Sequence, residues 1–383
     1  MKILIKNIIL ILLVLIFNNQ KTLANNKIKI GLLVPITGQH SEIGESIIKS
    51  VRLAINKINN PLIEIIPKDT ASNPNKTLMS AKELRNIGVK IIIGPVFNKN
   101  LIYLEDLKDI IFLSLTNKII DNPKNIISAG INANSQLKTI SKFQKLNKIK
   151  KTIILIPNKN YDQEIEKAIK YSKIKKDKVY RYDIIPTKLT SQIEKITKYS
   201  SRKQNLKDEI NRLKKSNENN KDRKIERLEK KDTLGRLLFD SVIIADFEES
   251  LKSVTTSLMY TDVLPKEIYF ITLNQWFDKS LLNEISSQPI FFPSINKKNY
   301  NEFTENYYKT FGKHSNQLSF LSYDLVGLVY YLILQNNFVV DQKIFLKKNM
   351  FKGKVGIFEI KDNKINHILN FYKVEDGEFK KIF

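Results

Sequence analysis

The chain has 383 residues, 42% of them hydrophobic, a formal net charge of +25 and no cysteine. That length and apolar content suit two packed domains and argue against wholesale disorder. The missing cysteine excludes disulfides, thiolate metal sites, cysteine nucleophiles and a lipidated N-terminal cysteine. The positive charge is mostly Lys, spread along the whole length among abundant Asn and Ile, so it reads as compositional bias; no nucleic-acid partner is expected.

Lys2 and Lys6 precede an apolar run over 8–17, polar residues over 18–21 and a small residue at Ala24. A charged start, about ten apolar residues and a small exit residue describe a secretory signal peptide over 1–24. The alternative is an uncleaved anchor, but the run is short for a bilayer. Nothing later reaches about 18 uninterrupted apolar residues, so no stable membrane span is expected in the mature chain.

From residue 27 the sequence alternates short apolar runs with helical patterns. KIKIGLLVPITG leads into an amphipathic helix, LIEIIPKDT into a second, and VKIIIGPV follows. Strands are expected over 30–34, 62–66, 91–93, 110–115, 125–129, 152–156, 178–185, 241–245 and 267–273. Continuous rather than alternating apolar runs imply strands buried on both faces, hence parallel sheets with right-handed crossovers. Ligands in such sheets bind beyond the carboxyl ends of the strands. The helix over 41–58 carries Ile43, Ile47, Val51, Ala54, Ile55 and Ile58 on one stripe, with Ser41 as its expected N-cap.

The stretch 188–236 differs from its surroundings. It holds sixteen Lys or Arg and eight Asp or Glu, with Tyr199 as its one aromatic. Leu206, Ile210 and Leu213 form one thin stripe, Ile225 and Leu228 another, with a turn over 216–220 between them. This reads as an inserted basic helical hairpin, either a solvated excursion or a docking arm. Further on, 317–334 is helical, and 356–360 with 365–374 reads as a hairpin.

Motifs for catalysis are missing. There is no phosphate-binding glycine loop, no dinucleotide fingerprint and no nucleophile elbow. His40, His314 and His367 lie far apart, and none sits in a metal-ligand motif. His40 reads as a surface loop residue, and Asp69 as a cap for the helix starting near Pro74. What remains past the strand ends is a ring of polar and aromatic residues: Thr37 and Gln39, Asn98, Thr116 and Asn117, Asn158 and Tyr161, Asn274 and Trp276. Hydrogen-bonding groups with one or two aromatics and no general base describe a ligand-binding cleft, not an active site. No cofactor and no metal are expected.

These segments together resemble the type I periplasmic binding proteins of the leucine-binding-protein superfamily. The carrying stretches are KIGLLVPITGQHSEIGESIIKSVRLAINKI, PKDTASNPNKTLMSAKELRNIGVKIIIGPV, LSYDLVGLVYYLI and GKVGIFEI. GPVF after the third strand and the charged insertion resemble the penicillin-binding-protein activator branch. The resemblance implies two Rossmann-like parallel-sheet lobes joined by a multi-strand hinge. It divides the chain into lobe one at 27–130 and 296–349, lobe two at 131–294 with the insertion at 188–236, and a C-terminal hairpin at 350–383 near the hinge. Amino-acid-binding members hold the ligand with hydroxyls after strands three and four, a lobe-two tyrosine and an acidic residue. Thr116 matches the hydroxyl and Tyr161 the tyrosine; Asn98 stands where a serine is expected. Asn274, Gln275 and Trp276 occupy the acidic position, with Asp278 nearby. A ligand ammonium there would lack a counter-charge. The resemblance thus implies a periplasmic, non-enzymatic protein that activates a cell-wall synthase. Its alternative is the substrate-binding component of an amino-acid-type ABC transporter, partnered by a permease and holding a small polar ligand.

Overall fold

A computed structural model describes residues 27–118, 123–159, 161–273, 276–361 and 364–383. The expected signal peptide at 1–24 and the candidate Asn274 lie outside the described residues.

The apolar run after Lys27 forms β1 (Ile28–Val34), whose last five residues are all buried. Helix α1 (Ser41–Ile58) follows, then β2 (Ile63–Asp69), α2 (Pro74–Asn86), β3 (Ile91–Ile93), β4 (Ile111–Ser114) and β5 (Ile126–Ser128). The five strands form one parallel sheet in the order β2-β1-β3-β4-β5. Ser41 is the first helical residue, not the cap; the backbone turns at His40, which makes no side-chain capping bond. Gly44 in the first turn of α1 lies under the loop that leaves β1: a Cβ there would stand 1.9 Å from the Pro35 carbonyl oxygen. Only glycine lets helix and loop approach so closely.

A second sheet begins after α3 (Ala133–Leu146). It collects β6 (Thr152–Pro157), α4 (Asp162–Ser172), β7 (Lys178–Tyr182) and α5 (Pro186–Thr197). After α6 (Tyr199–Lys215) and α7 (Lys221–Glu229) come β8 (Ser241–Ile244), α8 (Glu248–Tyr260), β9 (Tyr269–Thr272), a short turn of helix α9 (Ser280–Asn283) and β10 (Ile290–Ser294). The sequence gives no warning of β10, because Pro293 argues against a strand. It is accommodated because the ladder to β9 ends at Phe291, so Pro293 lies beyond it.

The chain then returns to the first sheet with α10 (Lys297–Phe311) and α11 (Gln317–Gln335). Helix α11 is long and apolar enough to cross a membrane, yet most of it is buried in the molecule. Ser50 of α1 donates to the Ser319 carbonyl, and the Ser46 and Ser319 hydroxyls meet at 2.6 Å, locking α11 against α1. The expected hairpin of 356–360 with 365–374 forms only as far as Ile368. Strands β11 (Asn349–Lys352), β12 (Ile357–Lys361) and β13 (Lys364–Ile368) form a separate antiparallel sheet packed on the first core. Strands β14 (Asn370–Glu375) and β15 (Glu378–Lys381) extend the second sheet, which runs β15-β14-β10-β9-β8-β6-β7. The polypeptide therefore passes between two lobes three times: from β5 to α3, from β10 to α10, and from β13 to β14.

The insertion is also narrower than the charge pattern suggests. Residues of α5 that fall inside 188–236 pack in the second core through Leu189 and Ile193. Only α6 and α7 form the extra hairpin.

One buried group ties the crossovers together. His367 of β13 is 4% exposed, and its Nε2 lies 2.8 Å from the Ala129 carbonyl. A carbonyl acceptor requires Nε2 to carry the proton, and Nδ1 has no hydrogen-bond partner. Burial lowers the imidazole to about 4, so it stays neutral at physiological pH. Unfolding restores an ordinary histidine, so the unfolded chain binds the proton more tightly. This contribution is complete above the unfolded value and is lost as pH falls from the ordinary range toward 4.

Two outcomes follow. Gly44→Ala costs about 2–3 kcal/mol of stability, measured by urea denaturation, because the added methyl overlaps backbone; an unchanged midpoint contradicts this. Between pH 7.5 and pH 5, wild type loses about 2 kcal/mol more stability than His367→Gln, and parallel pH–stability curves contradict the assignment.

Candidate functional site

Every parallel strand delivers its following loop to the carboxyl edge of its sheet, so the candidate residues gather at two edges, one per lobe. In the first lobe the loops after β1, β3 and β4 are tied to one another. Asp69, the last residue of β2, accepts from the backbone N–H groups of Ile36, Thr37 and Ala71 at 2.8, 3.2 and 2.8 Å. The Thr37 hydroxyl donates to its other oxygen at 2.7 Å. Partial burial pushes this carboxyl up, but the Thr37 hydroxyl and the three N–H groups outweigh it and hold it below the usual carboxylate range. Asp69 is therefore a clamp on the β1 loop. It does not cap α2, whose N-cap is Asn73, accepting from Lys76 N at 3.1 Å. His40 packs its ring at a tilt against Phe97, centroids 4.7 Å apart, joining the β1 and β3 loops.

Ser114 at the end of β4 donates to the Pro95 carbonyl at 2.8 Å. Thr116 is buried; its hydroxyl oxygen accepts from Lys118 N at 3.3 Å, and its carbonyl accepts from Gly130 N. Gln39, Asn98 and Asn117 are exposed at the same edge.

The second lobe holds what the sequence pattern did not single out. Asp246, just past β8, is fully buried. The Lys159 ammonium donates to its Oδ1 at 2.8 Å, and so does Phe247 N at 2.9 Å. Tyr182, the last residue of β7, donates to Oδ2 at 2.6 Å. Tyr161 donates to Oδ1 at 3.2 Å and lies 3.3 Å from the Ala245 carbonyl. Lys159 also donates to the Ser250 hydroxyl at 3.0 Å. Burial, then the Asp246 charge beside them, pushes both phenols well above the ordinary tyrosine range, so both remain donors. The β6, β7 and β8 loops thus converge on one carboxylate, and Tyr161 belongs to that network. Asn158 is exposed beside it, its N–H bonded to the Tyr182 carbonyl.

Trp276, in the loop after β9, packs toward the other lobe. Its ring lies 6.2 Å from that of Tyr300 on α10, and neighbouring Phe277 contacts Tyr300 at 6.1 Å and Tyr372 at 5.0 Å. These aromatics staple the β9 loop across the hinge.

Removing the Asp69 clamp strands four donors. Asp69→Ala is expected to cost about 2 kcal/mol and to speed amide exchange at Ile36 and Thr37, and unchanged exchange there contradicts the clamp.

Comparison with known proteins agrees with this architecture. A family model described as periplasmic binding protein matches residues 27–178. No curated protein sequence gives a significant match. Among solved structures, the chain is similar to a putative branched-chain amino acid ABC transporter protein from Rhodospirillum rubrum. The two share 12% identity and a TM-score of 0.68, over 93% of this chain and 100% of that one. It is similar to a solute binding protein of an ABC transporter from Rhodopseudomonas palustris BisB5, in complex with 3,4-dihydroxy benzoic acid. Here identity is 18% and TM-score 0.57, over 93% and 96% of the chains. It is also similar to the C-domain of LpoA from Haemophilus influenzae, a regulator of PBP1A. That pair shares 15% identity and a TM-score of 0.58, over 93% and 100%. At these identities the likeness concerns the fold.

Proposed function

For this chain with the type I periplasmic binding protein fold, we propose a periplasmic, non-enzymatic role as a regulator that docks a cell-wall synthase. The reading rests on one observation, the helical arm α6–α7. The arm leaves the second lobe at Arg202, which is 6% exposed although charged. Its guanidinium donates to the Thr197 carbonyl at 3.1 Å, to the Thr233 hydroxyl at 3.0 Å and to the Thr261 carbonyl. Burial lowers its basicity, and these acceptors compensate for lost water. The base of the arm is thus fastened where the chain leaves and re-enters the lobe.

Beyond that base the arm is built for solvent or a partner. Helix α7 buries no residue, and α6 buries only Arg202, Leu206 and Leu213. The turn between them is held by local pairs: Arg212 with Glu209 and Glu218 at 2.8 and 2.7 Å, and Lys224 with Glu218 at 2.6 Å. Hydrogen bonds from Lys224 and then Arg212 hold Glu218 at about 2. Lys207, Lys214, Lys215, Arg223 and Arg227 remain exposed along the two helices. A cationic hairpin on a rigid base suits an acidic protein surface, with attraction that weakens as salt rises.

The second reading, a solute-binding component of an ABC transporter, draws on the ligand-bound structures with the same fold. The two readings predict opposite results. Replacing 203–231 by a short Gly-Ser linker should leave the melting temperature of the body nearly unchanged and reduce capture of the cognate synthase at least about tenfold, a loss of about 1.4 kcal/mol. Undiminished capture, together with lost small-ligand affinity in Tyr161→Ala, contradicts the regulator reading and supports the transporter one.

A further inference from the structure

The network around Asp246 has the composition of a ligand site that is already filled. A carboxylate sealed from solvent receives one ammonium, two phenol hydroxyls and one backbone N–H. Two of the side-chain donors, Lys159 and Tyr161, sit on partly exposed residues, and the charged one leads outward: Lys159 is 27% exposed, against 1% for Asp246. The lysine stem therefore marks a path from the surface to a desolvated anion. Beside it lies a recess of about 120 Å³ lined by Tyr182, Ile184, Leu189, Glu249, Ser250 and Ser253. Two of these, Tyr182 and Ser250, already belong to the network, while Ile184 and Leu189 offer an apolar wall.

We propose that Lys159 is a built-in ligand, and that the pocket of Asp246, Tyr161, Tyr182 and Ser250 is a primary-ammonium site which the chain keeps occupied with its own side chain. The proposal deepens the regulator reading and rests on it in one respect: a filled lobe-two subsite explains why the cleft has no use for an external amine. A tethered ammonium also meets no translational cost, so a free amine competes poorly with it. Without Lys159 the carboxylate is left buried and uncompensated, which is strongly unfavourable. A short primary ammonium can restore the pairing, its N–H groups reaching Asp246 and Ser250 and its alkyl chain the recess.

The test is chemical rescue in the full-length protein. Lys159→Ala is expected to melt several degrees lower than wild type at neutral pH. Adding n-butylammonium should raise its melting temperature by about 3 °C and leave wild type unmoved. Tetramethylammonium, which has no N–H donor, should not rescue, nor should butylammonium rescue Lys159→Ala/Asp246→Asn. Equal rescue by both cations, or none, overturns the proposal. If the Ala variant does not fold, the readout is acylation of intact wild type by an amine-reactive ester, followed by peptide mass spectrometry. Lys159 should then react at least tenfold more slowly than Lys207 or Lys214 of the arm, and equal reactivity overturns the proposal. Failure here leaves capture by the arm unaffected, and failure of arm capture leaves amine rescue unaffected, so the two readings fall separately.

Discussion

Parallel strands cannot be joined by tight turns, and that constraint organises this molecule. Each parallel strand must be followed by a crossover, so the parallel strands all enter their sheet from one edge and leave at the other. All the functional loops therefore collect on the carboxyl edges of two sheets, whatever their sequence. Three passages of the chain between the lobes, with His367 bonded to Ala129 at one of them and Phe277 packed against Tyr300 and Tyr372 nearby, hold these edges in one molecule. Loops at such edges can bind a solute, bind nothing, or serve as scaffold for an added element. The side chains at the edges decide among these.

Those side chains divide the two lobes. In the first, Asp69 is spent on the backbone of its own loops. In the second, Asp246 is spent on Lys159 and two tyrosines. A charge satisfied from within contributes rigidity and offers little to an incoming ligand. The cationic arm is built the opposite way, with a buried anchor at Arg202 and most of its charge turned outward. The molecule thus pairs these edge carboxylates from within and turns the charges of the arm outward.

Much of this was legible in the residues. Runs such as those at 30–34, 91–93 and 241–245 are apolar throughout because both faces of the strand are covered, and they point directly to parallel sheets. Thr37, Thr116, Tyr161 and the other edge residues could be found because edge position follows from strand position alone. What escaped depends on distance and context. Lys159 and Asp246 are 87 residues apart, separated by the arm, and a lysine in a lysine-rich chain carries no pattern. The acidic residue right after the buried run SVIIA was the available clue. Strand β10 was hidden by Pro293, whose tolerance depends on where a neighbouring ladder stops. Helix α5 was absorbed into the charged insertion because its buried face is only three residues, Leu189, Ile193 and the polar Thr197.

The central claim is that the interlobe edge is satisfied from within and holds no small solute. Native mass spectrometry of the protein purified without denaturation tests this most directly. The account predicts the mass of the polypeptide alone, or of its complex with an envelope protein. A stoichiometric adduct of amino-acid size that is released on unfolding would contradict it.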